Sequence, residues 1–135
     1  MLNCDYLMSD VLAKDIMRKD VRSIRPDEKI ALARLTMLRH GVGALPVITD
    51  DKILVGILTL RDIDFAGRDI MDLPVKDLMT KDRLITAIET TTLNQIADVM
   101  ISTGLQRIPV IDQEGRLLGL VTQTVVIRGF RNLSK

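Results

Sequence analysis

The chain has 135 residues, of which 47% are hydrophobic, 27% charged and 2% aromatic, and its formal net charge is +1. This composition is that of a globular protein of about one domain, and it excludes a disordered class. Near-neutral charge gives no electrostatic case for a nucleic-acid partner, and the few aromatic residues offer no platform for stacking bases.

The single cysteine, Cys4, cannot form an intrachain disulfide and suits a reducing compartment. The N-terminus lacks the basic and apolar regions of a signal peptide. No apolar run approaches the roughly 18 residues that span a bilayer. We therefore expect a cytoplasmic location and no membrane partner.

The sequence contains an internal repeat of two copies. The first recurring segment, at residues 13–20 and again at 75–82, contains Lys-Asp-(Ile/Leu)-Met. The offset is 62 there and 63 further on, so one residue has been added between Asp82 and Leu84. A short strand is predicted after each copy, at residues 21–24 and 84–87.

A helix is predicted next in each copy, because apolar residues recur at helical spacing. They are Ile30, Ala33, Met37 and Leu38 in the first copy, and Leu93, Ile96, Ala97, Met100 and Ile101 in the second. Gly41 and Gly104 stand where a left-handed residue ends a helix.

Two strands around a polar turn follow, predicted at residues 44–48 and 53–58, then at 107–111 and 116–121. Thr59 and Thr122 can cap a closing helix. Each copy thus contains strand, helix, strand, strand, helix, with the copies at residues 10–66 and 72–132. One copy leaves an apolar sheet face uncovered, so we expect an α+β fold in which two copies bury both sheets.

The doubled pattern Gly-x-x-x-(Leu/Ile)-Pro-Val-Ile and Gly-x-x-Thr, beginning at Gly41 and at Gly104, resembles the cystathionine-beta-synthase (CBS) domain in tandem. The resemblance implies two β-α-β-β-α repeats packed sheet to sheet as one pseudo-two-fold module. It also implies a regulatory module that binds an adenosine-containing ligand in the cleft between the repeats and controls an unidentified partner protein. That ligand would be AMP, ADP, ATP or S-adenosylmethionine, with no covalently bound cofactor, and the module would form a homodimer.

The Thr-x-x-Asp motif at Thr59 and Asp62 is the first candidate site. A carboxylate can accept hydrogen bonds from both hydroxyls of a ribose, and the resemblance gives Asp62 this role. A capping box, in which Thr59 and the acid only stabilise the helix, is the alternative. The second copy has Val125 where the first has Asp62, so capping does not demand an acid here.

The resemblance assigns the rest of that site to the other copy, where adenine lies against the first strand and phosphate meets residues before Pro-Val. Arg107 suits phosphate because its guanidinium carries fixed donors and a permanent charge, although a solvated strand-end cation is the alternative. The assigned residues are Gln106, Arg107, Thr86 and Ile88, with Ile57 as an apolar wall.

The opposite site would combine Thr122 with Ser23, Arg25, Pro26, Gly43 and Ala44. It lacks both the ribose acid and an arginine beside Pro-Val, so we expect it to be empty, weak or specialised for another ligand.

No catalytic constellation is apparent, and His40 has no metal-binding partner at suitable spacing, so we predict that the protein is not an enzyme. Two alternatives remain open: a ligand-free dimerisation or protein-interaction module, and an enzyme acting on a nucleotide.

Overall fold

The structure, a computed structural model, describes residues 10–133. The chain forms two compact units. One holds residues 22–84, and the other joins residues 10–21 to residues 85–133. Cys4 lies outside the described residues. Among the described residues, no helix is both long and apolar enough to cross a membrane.

The fold is α+β, as predicted. In chain order its elements are α1 (Ala13–Ile16), α2 (Ile30–His40), β1 (Ala44–Ile48), β2 (Leu54–Thr59), α3 (Leu60–Ala66), α4 (Leu93–Thr103), β3 (Arg107–Ile111), β4 (Leu117–Thr122) and α5 (Gln123–Leu133). Two short 3₁₀ turns, Arg68–Ile70 and Val75–Asp77, follow α3. Each unit therefore has one two-stranded sheet and its own helices.

The two hairpins confirm the predicted strand pairs to within one residue. β1 pairs antiparallel with β2, and β3 with β4, in the same register, with Ala44 opposite Thr59 and Arg107 opposite Thr122. Both ladders shift register at the same point, after Val47 and after Val110. The two copies thus build the same backbone.

The predicted first strands at 21–24 and 84–87 are wrong as strands, because each is reduced to one parallel bridge, Ile24 with Val47 and Ala87 with Val110. The Ile24 amide donates to the Pro46 carbonyl at 3.0 Å, and the Ile48 amide donates to the Ile24 carbonyl at 2.9 Å. The next ladder bonds would need N–H groups at Pro26 and Pro46, and proline has none. Pro109 limits the second ladder on one side in the same way.

Helices α2 and α4 supply the core of their units, and most of the predicted apolar positions are buried. Leu38 and Ile101 are exceptions, with 52% and 82% of their surface exposed. Each follows the first residue of its helix by eight positions. At about 100° per residue that is roughly 80° away from the buried stripe. Leu38 and Ile101 therefore fit the helical spacing but lie outside the buried stripe.

The Lys-Asp-(Ile/Leu)-Met segment of each copy packs against the hairpin of the other copy. The amides of Arg18 and Leu120 each donate to the carbonyl of the other residue at 2.9 Å. In the same way, the Thr80 amide donates to the Ile57 carbonyl at 2.8 Å, and the Ile57 amide donates to the Thr80 carbonyl at 2.9 Å. Both compact units therefore cross the repeat boundaries expected from sequence.

A glycine makes each of these approaches possible. A Cβ at Gly56 would lie 2.5 Å from the Met79 sulfur, and one at Gly119 would lie 2.7 Å from the Arg18 carbonyl oxygen. The glycine of each Gly-x-x-Thr motif is thereby explained by packing.

Candidate ligand-binding site

The junction of β2 and α3 presents the Thr-x-x-Asp motif within the unit of residues 22–84. The Thr59 hydroxyl accepts a hydrogen bond from the Asp62 amide at 3.0 Å, so Thr59 is the helix N-cap. Both side chains are half-buried. Ile57 lies on β2 just before them, also half-buried, with its backbone paired to Thr80.

The Asp62 carboxylate has no hydrogen bond or ion pair with any residue of the described range 10–133. A complete capping box would require this carboxylate to accept the Thr59 amide. The chain does build such a box at α4, where the Thr92 amide donates to Gln95 at 3.0 Å and the Gln95 amide donates to Thr92 at 3.2 Å. The capping-box explanation therefore fits Thr92 and Gln95, and at Asp62 only its threonine half is present.

The equivalent junction of the other unit, between β4 and α5, lies beside Arg107, the predicted phosphate-binding residue. Arg107 begins β3, opposite Thr122, and its half-buried side chain forms no ion pair within residues 10–133. The Thr122 hydroxyl accepts a hydrogen bond from the Val125 amide at 3.3 Å. The Gln106 carbonyl accepts a hydrogen bond from the Gln123 amide at 2.8 Å, and the side chain of Gln106 is exposed.

The predicted adenine-facing residues Thr86 and Ile88 flank the bridge residue Ala87 in the same unit as Arg107. Both side chains are exposed, Ile88 at 54%. The Ile88 amide donates to the Thr91 hydroxyl at 3.0 Å. An isoleucine this exposed is available to pack against a flat apolar group.

The predicted site residues therefore form two groups, each in its own unit. Residues 22–84 bring together Ile57, Thr59 and Asp62. The other unit contains Thr86, Ile88, Gln106 and Arg107. In the first group, the Asp62 carboxylate has no partner among residues 10–133. In the second, the Arg107 guanidinium has no ion-pair partner among the same residues.

Of the predicted second site, Ser23, Arg25, Pro26, Gly43 and Ala44 belong to the unit of residues 22–84. Arg25 is paired with Asp50, with 2.8 Å between Nε and Oδ1. Thr122 belongs to the other unit, and Val125 leaves it without an acid.

A cavity of about 380 Å³ next to Arg25 and Asp50 was missed by sequence reasoning. Its signal was present in the β1–β2 turn. Lys52 adopts φ 69° where the second copy has Gly115 at φ 85°. A lysine in a position that favours glycine could have drawn attention to this turn.

Metal chemistry has no candidate group among the described residues, where no cluster of three His, Cys, Asp or Glu side chains could hold an ion. His40 is exposed as the last residue of α2, before Gly41 at φ 65°.

Residues 13–69 and 75–132 each match the family model of the CBS domain. The chain belongs to the CBS-domain family, with two CBS domains in tandem. Among curated relatives it is similar to inosine-5'-monophosphate dehydrogenases. Identity is 38% over 126 residues to the enzyme of Korarchaeum cryptofilum, covering 89% of this chain and 26% of that one. Identity to the Aquifex aeolicus enzyme is 31% over 106 residues, covering 78% of this chain and 22% of that one. The chain thus spans about a quarter of the length of these relatives.

Solved structures of CBS-domain proteins are similar over nearly the whole chain. CBSX2 in complex with AMP has a TM-score of 0.84 and 26% identity, covering 93% of this chain and 99% of that one. The CBS domain pair of MJ0100, in complex with 5'-methylthioadenosine and S-adenosylmethionine, has a TM-score of 0.80 and 28% identity, covering 90% and 97%. Protein MJ1225 of Methanocaldococcus jannaschii has a TM-score of 0.84 and 28% identity, covering 94% and 50%.

Proposed function

We propose that this CBS pair is a regulatory module that binds one adenosine-containing ligand, AMP, ADP, ATP or S-adenosylmethionine, and thereby controls a partner protein. The observation that carries the proposal is the half-buried Asp62 carboxylate beside the Thr59 cap, which has no partner within residues 10–133. Similar CBS pairs have been solved in complex with AMP, and with S-adenosylmethionine and 5'-methylthioadenosine. The cytoplasmic location expected from the sequence is part of this proposal.

The ligand groups divide by chemistry. Asp62 accepts hydrogen bonds from the two ribose hydroxyls, and Thr59 bonds a neighbouring ligand oxygen. Arg107 binds phosphate, or the carboxylate of S-adenosylmethionine, with Gln106 beside it. Thr86 bonds the base or ribose, while Ile88 and Ile57 pack on the adenine faces. These assignments follow the CBS motif positions.

Calorimetry with the four ligands tests the proposal, first on the unaltered chain and then on Asp62→Ala. Loss of charged hydrogen bonds to ribose should weaken binding about 30-fold, which corresponds to ~2 kcal/mol. Val125→Ala changes the equivalent position of the other repeat, and Asp98→Ala removes an exposed carboxylate from α4. Both controls should bind normally. Absence of binding by all four ligands would refute the function, and equal binding by Asp62→Ala would refute the site.

A ligand-free dimerisation module is the second candidate, because the outer side of α2 exposes Leu35 and Leu38 at 49 and 52%. We propose a homodimer in either case. Light scattering after gel filtration measures the assembly. A dimer whose melting temperature does not change with any of the four ligands would favour this second function. No catalytic role is proposed for the chain.

A further inference from the structure

The cavity beside the β1–β2 turn is a second candidate binding site. It has a volume of about 380 Å³, and all its lining residues belong to the unit of residues 22–84. Ile24, Leu32 and Ile48 give it an apolar side, and hydroxyls at Ser23 and Thr49 add polar groups. This volume is at the lower end of the range for ligand pockets, which favours a small molecule.

The charges around the cavity are balanced in sign but incompletely paired. Arg25 and Asp50 form an ion pair at 2.8 Å. Glu28 and Lys52 also line the cavity, and neither forms an ion pair within residues 10–133. One free carboxylate and one free ammonium group therefore line the same small cavity.

The fold does not require these charges. The second repeat forms the same turn with Gly115, whose amide donates to the Asp112 carbonyl at 3.1 Å, as Lys52 donates to Thr49 at 2.9 Å. Lysine at φ 69° is conformationally less favourable than glycine, so the turn alone gives no reason for it. The counterparts of Arg25 and Glu28 in the second repeat are Ile88 and Thr91, which are uncharged.

We propose that this cavity binds a small zwitterion, an α-amino acid with an apolar side chain. Its carboxylate would bind Lys52 and the guanidinium of Arg25, its ammonium group would bind Glu28, and its side chain would pack against Leu32 and Ile48. A simple anion would face Glu28 and Asp50, and a simple cation would face Lys52 and Arg25. Only a ligand that carries both signs satisfies both free groups.

The proposal is independent of the adenosine site, because it uses neither Thr59, Asp62 nor Arg107. It does involve Ser23 and Arg25, which the CBS resemblance assigned to a second site that we expected to be empty, weak or specialised for another ligand.

Titration of ¹⁵N-labelled full chain with L-leucine, L-isoleucine, L-valine and L-methionine, followed by amide NMR, tests the proposal. At least one should shift the amides of Ser23, Thr49 and Lys52. For that amino acid, the amide analogue without a carboxylate and the acid analogue without an ammonium group should each bind about tenfold more weakly. Inorganic phosphate should not shift these amides. If no amino acid shifts them, or if phosphate or either analogue shifts them equally well, the proposal is wrong.

Two variants copy the second repeat, Lys52→Gly and Glu28→Thr. Each should keep the dispersed amide spectrum of the folded chain and weaken amino-acid binding about tenfold. Asp62→Ala should leave amino-acid binding unchanged, and Lys52→Gly should leave adenosine-ligand binding unchanged. Failure of this proposal is therefore distinguishable from failure of the proposed function. Unchanged amino-acid binding in both copying variants would overturn the assignment.

Discussion

The β2–α3 and β4–α5 junctions share a backbone and differ in the side chains that could meet a ligand. In each, a threonine at the end of the hairpin accepts the amide three residues on, at 3.0 Å for Thr59 and 3.3 Å for Thr122. Asp62 in one corresponds to Val125 in the other, and Ala44 in one corresponds to Arg107 in the other. Because the hairpin and helix form either way, neither the acid nor the arginine is required by the fold. Both are free to serve a ligand.

The largest effect should come from the two motif glycines, whose surroundings differ. A Cβ at Gly119 would lie 2.7 Å from the backbone oxygen of Arg18, whereas one at Gly56 would lie 2.5 Å from the flexible sulfur end of Met79 and 3.0 Å from the backbone oxygen of Thr80. We expect Gly119→Ala to lower the free energy of unfolding by about 3 kcal/mol, and Gly56→Ala by about 1.5 kcal/mol. Urea unfolding followed by circular dichroism measures both.

Gly41→Ala is the control for these two substitutions, since its Cβ would meet nothing within 4 Å and only its φ of 65° is unfavourable. It should cost about 1 kcal/mol. Equal losses at Gly56 and Gly119 would contradict the claim that the closer backbone contact makes the substitution at Gly119 more costly.

The threonine caps should contribute to stability at both junctions. Thr59→Ala should lower the free energy of unfolding by about 1 kcal/mol, and Thr122→Ala by about 0.5 kcal/mol because its hydrogen bond is longer. Thermal and urea unfolding of the two variants compare them directly. A neutral Thr59→Ala variant would show that this threonine does not cap α3 in solution.

The smallest effect should come from Asp62→Asn. Its carboxylate has no protein partner within residues 10–133, so only the interaction with the α3 dipole is lost, at most about 0.5 kcal/mol. Gln95→Ala, which breaks the complete capping box of α4, is the matched comparison and should cost about 1 kcal/mol. If urea unfolding shows that Asp62→Asn lowers the free energy of unfolding as much as Gln95→Ala does, the acid has a structural role.

The sequence predicted the hairpins, the threonine caps and the CBS resemblance, because these depend on local patterns and on a repeat in register. It placed the glycine of each Gly-x-x-Thr motif without explaining it, since the methionine segment that packs there comes from the other repeat. The first strands were predicted too long because the proline positions in the parallel ladder become meaningful only once the partner strand is known.

Arg83 is the residue by which the second copy is longer than the first in this segment. The sequence placed one added residue between Asp82 and Leu84, and the structure accommodates it in a left-handed conformation at φ 58°. The cavity at Lys52 was not predicted, because its lining comes from three separate segments.

We propose, from the positions of the CBS motif, that both Asp62 and Arg107 contribute to binding of the adenosine ligand. The most direct measurement is calorimetric titration of the tightest-binding adenosine ligand into the unaltered chain, Asp62→Ala and Arg107→Ala. We expect one binding event per chain, with an affinity weakened at least tenfold by either substitution. Two events per chain, with each substitution removing a different one, would contradict it.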